Sequence, residues 1–222
     1  MSIAIYKKIA LLRSPVQIED IASSLRMTGY ATPVSISSTE FSYISKLISR
    51  NGLKNGYECG TAFGISSLAA GLGMKETGGT IITLDSYVEE HFRSSSYDKQ
   101  DKVYYDSMGH KVATFLHKEF GVDGNVKRVV GCSPSDVGVI LIRELSSKLD
   151  YVFIDGGHVA SQILEDTKAV LPFIDRDRCL LLFHDCHMFD DAMRDFLMEE
   201  FGKSVEVVVK RPRGFNLGVI KL

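Results

Sequence analysis

Residues 57–64 read YECGTAFG, and the chain continues as ISSLAAGLG to residue 73. An acid and a glycine follow a short strand here, and Gly64 opens a run of small residues with helical character. Glycine at 60 lets backbone approach a ligand closely, and a helix starting near Gly64 offers free N–H groups. A dinucleotide fingerprint would place glycines at 60, 62 and 65, but this chain has Gly60, Ala62 and Ile65. A pyrophosphate on this loop is therefore disfavoured. Glu58 points the same way, because a carboxylate repels phosphate and suits a cation or an amino group.

On the C-terminal side of this loop, short apolar runs alternate with helical patterns. Strands are predicted at 55–59, 80–85 (TIITLD), 126–131 (VKRVVG), 149–155 (LDYVFID) and 178–185 (RCLLLFHD). Helices are predicted at 64–73, 112–121, 135–148, 159–171 and 190–202. The end reads as two strands, SVEVVVK and FNLGVIKL, about a tight turn. Strands alternating with helices argue for an α/β fold. The expectation is a Rossmann-like, doubly wound sheet, mostly parallel, with an antiparallel C-terminal hairpin strand. On the N-terminal side, 16–29 and 38–50 carry apolar residues at helical spacing: Val16, Ile18, Ile21 and Leu25, then Phe41, Ile44, Leu47 and Ile48. Ser38 reads as the N-cap region of the second helix, and Asn51-Gly52 as its stop. These N-terminal cap helices occupy 1–53 and the core 54–222, giving a single domain over 1–222.

The chain is 45% hydrophobic and 24% charged, with a formal net charge of -2. That balance gives no strong attraction to nucleic acid or to anionic lipid, so neither nucleic acid nor membrane is an expected partner. Lys210, Arg211 and Arg213 read as a solvated hairpin tip. None of the four cysteines forms a CxxC pair, and three lie in or beside apolar runs, which reads as buried free thiols. No basic-then-apolar leader and no membrane-length apolar stretch is visible, so the expected compartment is cytoplasmic.

In an open parallel sheet, ligands sit at the C-terminal ends of the strands. Those ends carry Glu58 to Gly60, Asp85, Gly131 to Ser133, Asp155 to His158, and His184-Asp185. Asp85 stands 25 residues after Gly60, close to the roughly 20 expected of an acid that takes both ribose hydroxyls. The same aspartate also suits a turn cap. In GCSPSD, Ser133 or Ser135 suits the start of the next helix. Asp155, His184 and Asp185 are fitting ligands for a divalent ion. His158 equally suits a general base oriented by an acid. His187 is close in sequence but less well placed, and His91, His110 and His117 have no supporting context. Residues 86–110 are long, polar and tyrosine-bearing. Tyr97, Tyr104 and Tyr105 there either line an acceptor pocket or lie in an exposed loop.

Glu58-x-Gly60 at the end of a first strand resembles the first motif of the class I S-adenosylmethionine (SAM) methyltransferases. ECGTAFGISSLAAG is most similar to the O-methyltransferase version. The resemblance continues in order through the ribose acid, the GCS loop, FIDGGH, FHD and the terminal hairpin, over residues 55–222, and is least in 86–110. It implies that Glu58, Gly60, Thr61, Ala62, Gly64 and Ser66 wrap the methionine part of SAM. It implies Asp85 and Ser86 at the ribose, Cys132 and Ser133 at the adenine, and Asp155 beside the cofactor. In the metal-dependent catechol and macrolide-sugar types, an acid after the fourth strand and an adjacent pair after the fifth hold a metal. Asp155 matches the first and His184-Asp185 occupies the second, with His184 departing from the acid usual there.

The expected activity is methylation of a small-molecule hydroxyl acceptor, served by His158, Asp155 and His184. A divalent metal (magnesium or another) held by Asp155, His184 and Asp185 is part of the expectation in one version and absent in the other. Two rivals stay open: a metal-dependent oxygenase or hydrolase using the same cluster, and a non-catalytic SAM-binding protein. A nicotinamide oxidoreductase is disfavoured by the broken glycine fingerprint and the terminal hairpin. The N-terminal helices cover the site, build a homodimer, or both.

Overall fold

The strands form one seven-stranded sheet. They are β1 (Asn55–Cys59), β2 (Thr80–Asp85), β3 (Val126–Val130), β4 (Tyr151–Ile154), β5 (Leu180–Phe183), β6 (Glu206–Val209) and β7 (Leu217–Lys221). The order across the sheet is β3-β2-β1-β4-β5-β7-β6. β1 to β5 pair in parallel, and β7 runs antiparallel between β5 and β6. The structure is a computed structural model that describes residues 36–87, 99–210 and 216–222, and within 99–108 the backbone alone. The expected helix at 16–29, Arg211 and Arg213, and the tyrosine pocket of Tyr97, Tyr104 and Tyr105 lie outside the described residues or side chains.

The inner strands are apolar on both faces because helices cover both faces. Tyr57, Cys59, Ile82, Leu84, Val152, Ile154, Leu181 and Phe183 face one core, packed against α4 (Val137–Glu144), α5 (Ala160–Val170) and α6 (Asp191–Phe201). Ile81, Tyr151, Phe153, Leu180 and Leu182 face the other core. That core is shared with α1 (Ser38–Asn51), α2 (Ile65–Thr77) and α3 (Lys99–Glu119). Strand order turns back between β1 and β4, so the C-terminal ends of these two strands border the crevice where such sheets bind ligands. Cys59, Cys179 and Cys186 are buried and all four cysteines are free, as expected. Among the described residues no helix is long and apolar enough to cross a membrane.

Beyond shifts of a residue or two at strand and helix ends, four boundaries differ from the sequence reading. The cap of α1 is Ser37, not Ser38: Ser37 Oγ accepts the Glu40 N–H, and Glu40 accepts the Ser37 N–H in return. α2 runs through Gly73 to Thr77, because Gly73 is a packing site and not a stop. A Cβ there would meet Ile48 Cβ and Ser45 O at 2.8 Å, which is how closely α1 lies on α2. The stop is Gly78, in the left-handed region. Within the polar 86–110 stretch, helix begins at Lys99 and continues into the predicted 112–121 segment. α4 spans only Val137–Glu144, since the residues before it form turns that lead out of β3.

Candidate active site

The penultimate residue of β1 is an acid that the sheet shuts away from solvent. The parallel register sets Glu58 beside Thr83 on β2 and Phe153 on β4. Glu58 is 0% exposed. Thr83 donates its hydroxyl proton to Glu58 Oε2, while Oε1 has no hydrogen-bond partner. Burial pushes the carboxyl up to about 8, against the opposing pull of the Ser66, Thr83 and Ser67 hydroxyls, with the nearby Asp155 charge adding to the rise. A fully buried carboxyl oxygen without a partner costs free energy unless something polar meets it.

The loop after Glu58 is shaped by close backbone approach. Gly60 has φ +93, and a Cβ there would overlap the Asp155 carbonyl oxygen and press on Gly156. Gly60 N–H donates to Leu84 O, so the loop is bonded to β2 and pressed on β4. Thr61 is buried, with Oγ1 2.5 Å from Thr83 Oγ1. Gly64 N–H closes a turn onto Thr61 O, and Gly64 has φ +78. A Cβ at Gly64 would meet Ala113 Cβ at 2.7 Å. Ser66 is buried in the first turn of α2.

Asp85 ends β2 and gathers the loops around it. Its Oδ2 accepts the Ala62 N–H at 2.8 Å and its Oδ1 accepts the Tyr87 N–H at 2.9 Å. Ala62 and Tyr87 both have positive φ, at 45 and 49. Two non-glycine residues in that region cost about 1–3 kcal/mol each, so the carboxylate fixes a strained rim. The turn-cap reading of Asp85 thus holds at both loops. Ser86 is half-buried beside it.

The loop after β3 is tied down from below. Ser133 Oγ donates to Asp166 Oδ1 at 2.5 Å, and Cys132 N–H donates to Asp136 Oδ2 at 2.8 Å. Neither Ser133 nor Ser135 caps α4; Asp136 holds that position. Asp166, on α5, is fully buried and was not singled out from the sequence.

The ends of β4 and β5 bring together all four expected residues. His184 Nδ1 lies 3.0 Å from Asp155 Oδ1 and 3.4 Å from Asp185 Oδ1. Its Nε2 lies 3.6 Å from Glu40 Oε1, on the first turn of α1. Burial works against charge on His184, but the Asp155, Asp185 and Glu40 carboxylates outweigh it and hold the imidazole well above its ordinary pKa. His158 Nδ1 lies 3.0 Å from Asp185 Oδ2, and the His158 side chain is 48% exposed. The Asp185 hydrogen bond raises the His158 pKa, with burial opposing. Asp185 is itself in the left-handed region, at φ 55. For Asp185 burial raises the pKa, and the two histidines more than reverse that, holding the carboxylate charged.

The three residues expected to hold a divalent ion lie against one another here. His184 fills the space between the two aspartates that were expected to be its fellow ligands. Among the described residues no group of three or more His, Cys, Asp or Glu side chains is arranged to hold a metal ion.

Four further side chains at the site escaped the sequence reading. Glu40 is the fourth residue of a Ser-x-x-Glu capping box, a visible motif whose burial is not visible. Thr83 is the polar break in the buried strand TIITLD. Asp166 interrupts the apolar face of a helix. His117 sits on the same helical stripe as Val112, Ala113 and Leu116, and is fully buried.

Residues 57–186 match a family model described as a methyltransferase domain. No curated protein matches the chain. Among solved structures, an O-methyltransferase from Bacillus cereus in complex with SAH superposes with a TM-score of 0.62 at 13% identity, over 97% of this chain and 95% of that one. The O-methyltransferase TomG from Streptomyces achromogenes, in complex with SAM, gives a TM-score of 0.62 at 15% identity, over 97% and 94%. A methyltransferase from Geobacter sulfurreducens gives 0.58 at 13% identity, over 98% and 94%. At these identities the likeness speaks for the fold.

Proposed function

This chain belongs to the family of methyltransferase domains, and from that premise we propose that it methylates a hydroxyl group of a small molecule, with SAM as the methyl donor. The observation that carries the reading is the pair of acids on either side of the Gly60 loop. Glu58 offers a buried, unpartnered oxygen, and Asp85 clamps the loop from β2. Names of the solved neighbours support the same class, since two of them hold SAM or its product SAH.

SAM supplies a methyl group on a sulfonium, ready for in-line displacement. Glu58 receives the amino group of the methionine end, and the turn at Thr61 to Gly64 with Ser66 closes around it. Asp85, with Ser86 beside it, accepts the ribose hydroxyls. The Cys132-Ser133 loop, held by Asp136 and Asp166, borders the adenine.

At the acceptor side, His158 is the catalytic base. Its Nδ1 is engaged by Asp185, so the free imidazole nitrogen is the proton acceptor, in the manner of an acid-oriented histidine. The acceptor oxygen forms its bond to the methyl carbon, the sulfur leaves with the electron pair of the broken C–S bond, and the hydroxyl proton passes to His158. Holding oxygen and carbon in line supplies most of what such a transfer requires. His184, whose pKa the Asp155, Asp185 and Glu40 carboxylates raise, favours the developing alkoxide or phenoxide when it carries its second proton. The mechanism runs without a metal.

The test is a transfer assay with isotopically labelled SAM against a panel of phenols, catechols and sugar hydroxyls. Label should pass to at least one acceptor, with equimolar SAH. SAH formed without labelled acceptor, or no turnover with any hydroxyl while an amine or thiol acceptor works, would overturn the proposal of O-methylation.

A further inference from the structure

Behind the cofactor loop lies a buried polar chain that the mechanism above does not use. Arg128 on β3 reaches His117 on α3, with Nη1 2.7 Å from His117 Nδ1. On its other side, His117 Nε2 lies 3.1 Å from both Gly64 O and Ser67 Oγ. His117 and Ser67 are 0% exposed.

The protons in this chain have one consistent arrangement. A guanidinium only donates, so His117 Nδ1 is the acceptor and carries no proton. The neutral ring must then carry its proton on Nε2, which donates to the Gly64 carbonyl and to Ser67 Oγ. Burial and the Arg128 charge both disfavour a second proton, holding the ring near a pKa of about 4. With its oxygen accepting from His117, Ser67 keeps its own proton, and its hydroxyl lies near enough to Glu58 to favour the charged carboxylate.

Two of these contacts act on the part of the loop that matters most. Gly64 is the left-handed residue that turns the loop into α2, and its space is bounded by Ala113 and by His117 Nε2 itself, 3.0 Å from a Cβ built there. Ser67 is in the first turn of the same helix. A ring that bonds both therefore fixes the junction of loop and helix against α3, in a site dry enough for each bond to matter.

We infer that His117 is a positioning residue for the cofactor: with Arg128 setting its tautomer, it locks the Gly64 turn and holds the Ser67 hydroxyl at the start of α2, so that the methionine end of SAM meets a preformed loop. This inference rests on the reading of the Glu58 to Ser66 loop as the SAM site. It makes His117 matter for KM of SAM and not for the transfer step, in which it touches no reacting atom.

The experiment compares His117→Phe, which keeps a ring and removes both bonds, with His117→Gln, whose amide N–H can replace Nε2. Steady-state kinetics and SAM titration are run on each, beside Asp85→Ala. For His117→Phe the KM and Kd for SAM should rise at least ten-fold, with kcat within about three-fold, and His117→Gln should recover most of the loss. If His117→Phe does not fold, Arg128→Leu replaces it, with a smaller rise in KM expected from the freed tautomer. An unchanged KM in the folded variant, or an equal fall in kcat, overturns the inference. If Asp85→Ala weakens SAM binding and the His117 variants do not, only this inference fails. If none of the three affects SAM binding, the reading of the loop fails with it.

Discussion

Asp185 Oδ2 stands 3.0 Å from His158 Nδ1, while Asp185 Oδ1 stands 3.4 Å from His184 Nδ1. One carboxylate thus serves two histidines with different fates. His184 is buried among three acids, which raise its pKa. His158 is half in solvent and titrates.

That pairing sets a pH dependence. The hydrogen bond to Asp185 raises the pKa of His158 above its ordinary value, so the basic form grows as pH rises through that raised pKa. kcat should rise with pH over that limb. Asp185→Asn should move the limb to lower pH, because the neutral amide no longer favours the charged ring. His158→Ala should leave SAM binding intact and lower kcat by about 10²- to 10⁴-fold. A pH–rate profile unchanged by Asp185→Asn would remove Asp185 as the orienting acid.

Glu58 predicts a different pH effect, on stability. Its pKa is raised from 4.5 to about 8 in the folded chain, so folding favours the protonated acid. The penalty is absent below the unfolded pKa and grows as pH rises toward the folded value. At pH 7 it amounts to about 3 kcal/mol. Denaturant unfolding of the SAM-free protein should show stability falling between roughly pH 4.5 and 8, and Glu58→Gln should flatten that fall. Pairing with the SAM amino group should reverse the preference, so binding near pH 7 should release about one proton. Calorimetry in buffers of different ionisation enthalpy reads that number directly.

Gly60 tests the loop by sterics. At φ +93, with the Asp155 carbonyl in the place of a Cβ, Gly60→Ala should cost at least about 1–3 kcal/mol of stability and weaken SAM binding in whatever protein folds. Gly78→Ala, also at positive φ but with open space around it, should lose stability and keep its affinity for SAM. Equal SAM affinity in both variants would contradict the close approach assigned to Gly60.

A chelator separates the charged-histidine site from a metal site. Since His184 occupies the space between Asp155 and Asp185, turnover should be unchanged after exhaustive chelation and unchanged by added magnesium. Loss of activity on chelation, restored by one divalent ion, would contradict the metal-free mechanism.

Much of this architecture was legible because it rests on local rules. The order of apolar runs and helical stripes gave the alternating fold, and the polar residues at strand ends gave Glu58, Asp85, Asp155, His158, His184 and Asp185. What was not legible came from packing across distance. Gly73 reads as a helix stop in one dimension and is a contact point for Ile48 in three. Glu40 reads as a capping residue, which it is, but nothing local says that α1 carries it to within 3.6 Å of His184. His117 lies 50 residues from Ser67 and 11 from Arg128, so its partners appear only once α3 and β3 are folded onto the loop. The likeness of Asp155 and His184-Asp185 to a metal-binding pattern was real in sequence. In the folded chain those residues lie directly against one another, with Glu40 beside them.

The most direct measurement is calorimetric titration of SAM into the wild-type protein and into Asp85→Ala. The account predicts saturable one-site binding to the wild type and a loss of at least about ten-fold in affinity in the variant, the scale of one charged hydrogen-bond partner removed. No binding to the wild type, or equal binding to both proteins, would contradict the claim that the Glu58 to Asp85 edge of the sheet holds the methyl donor.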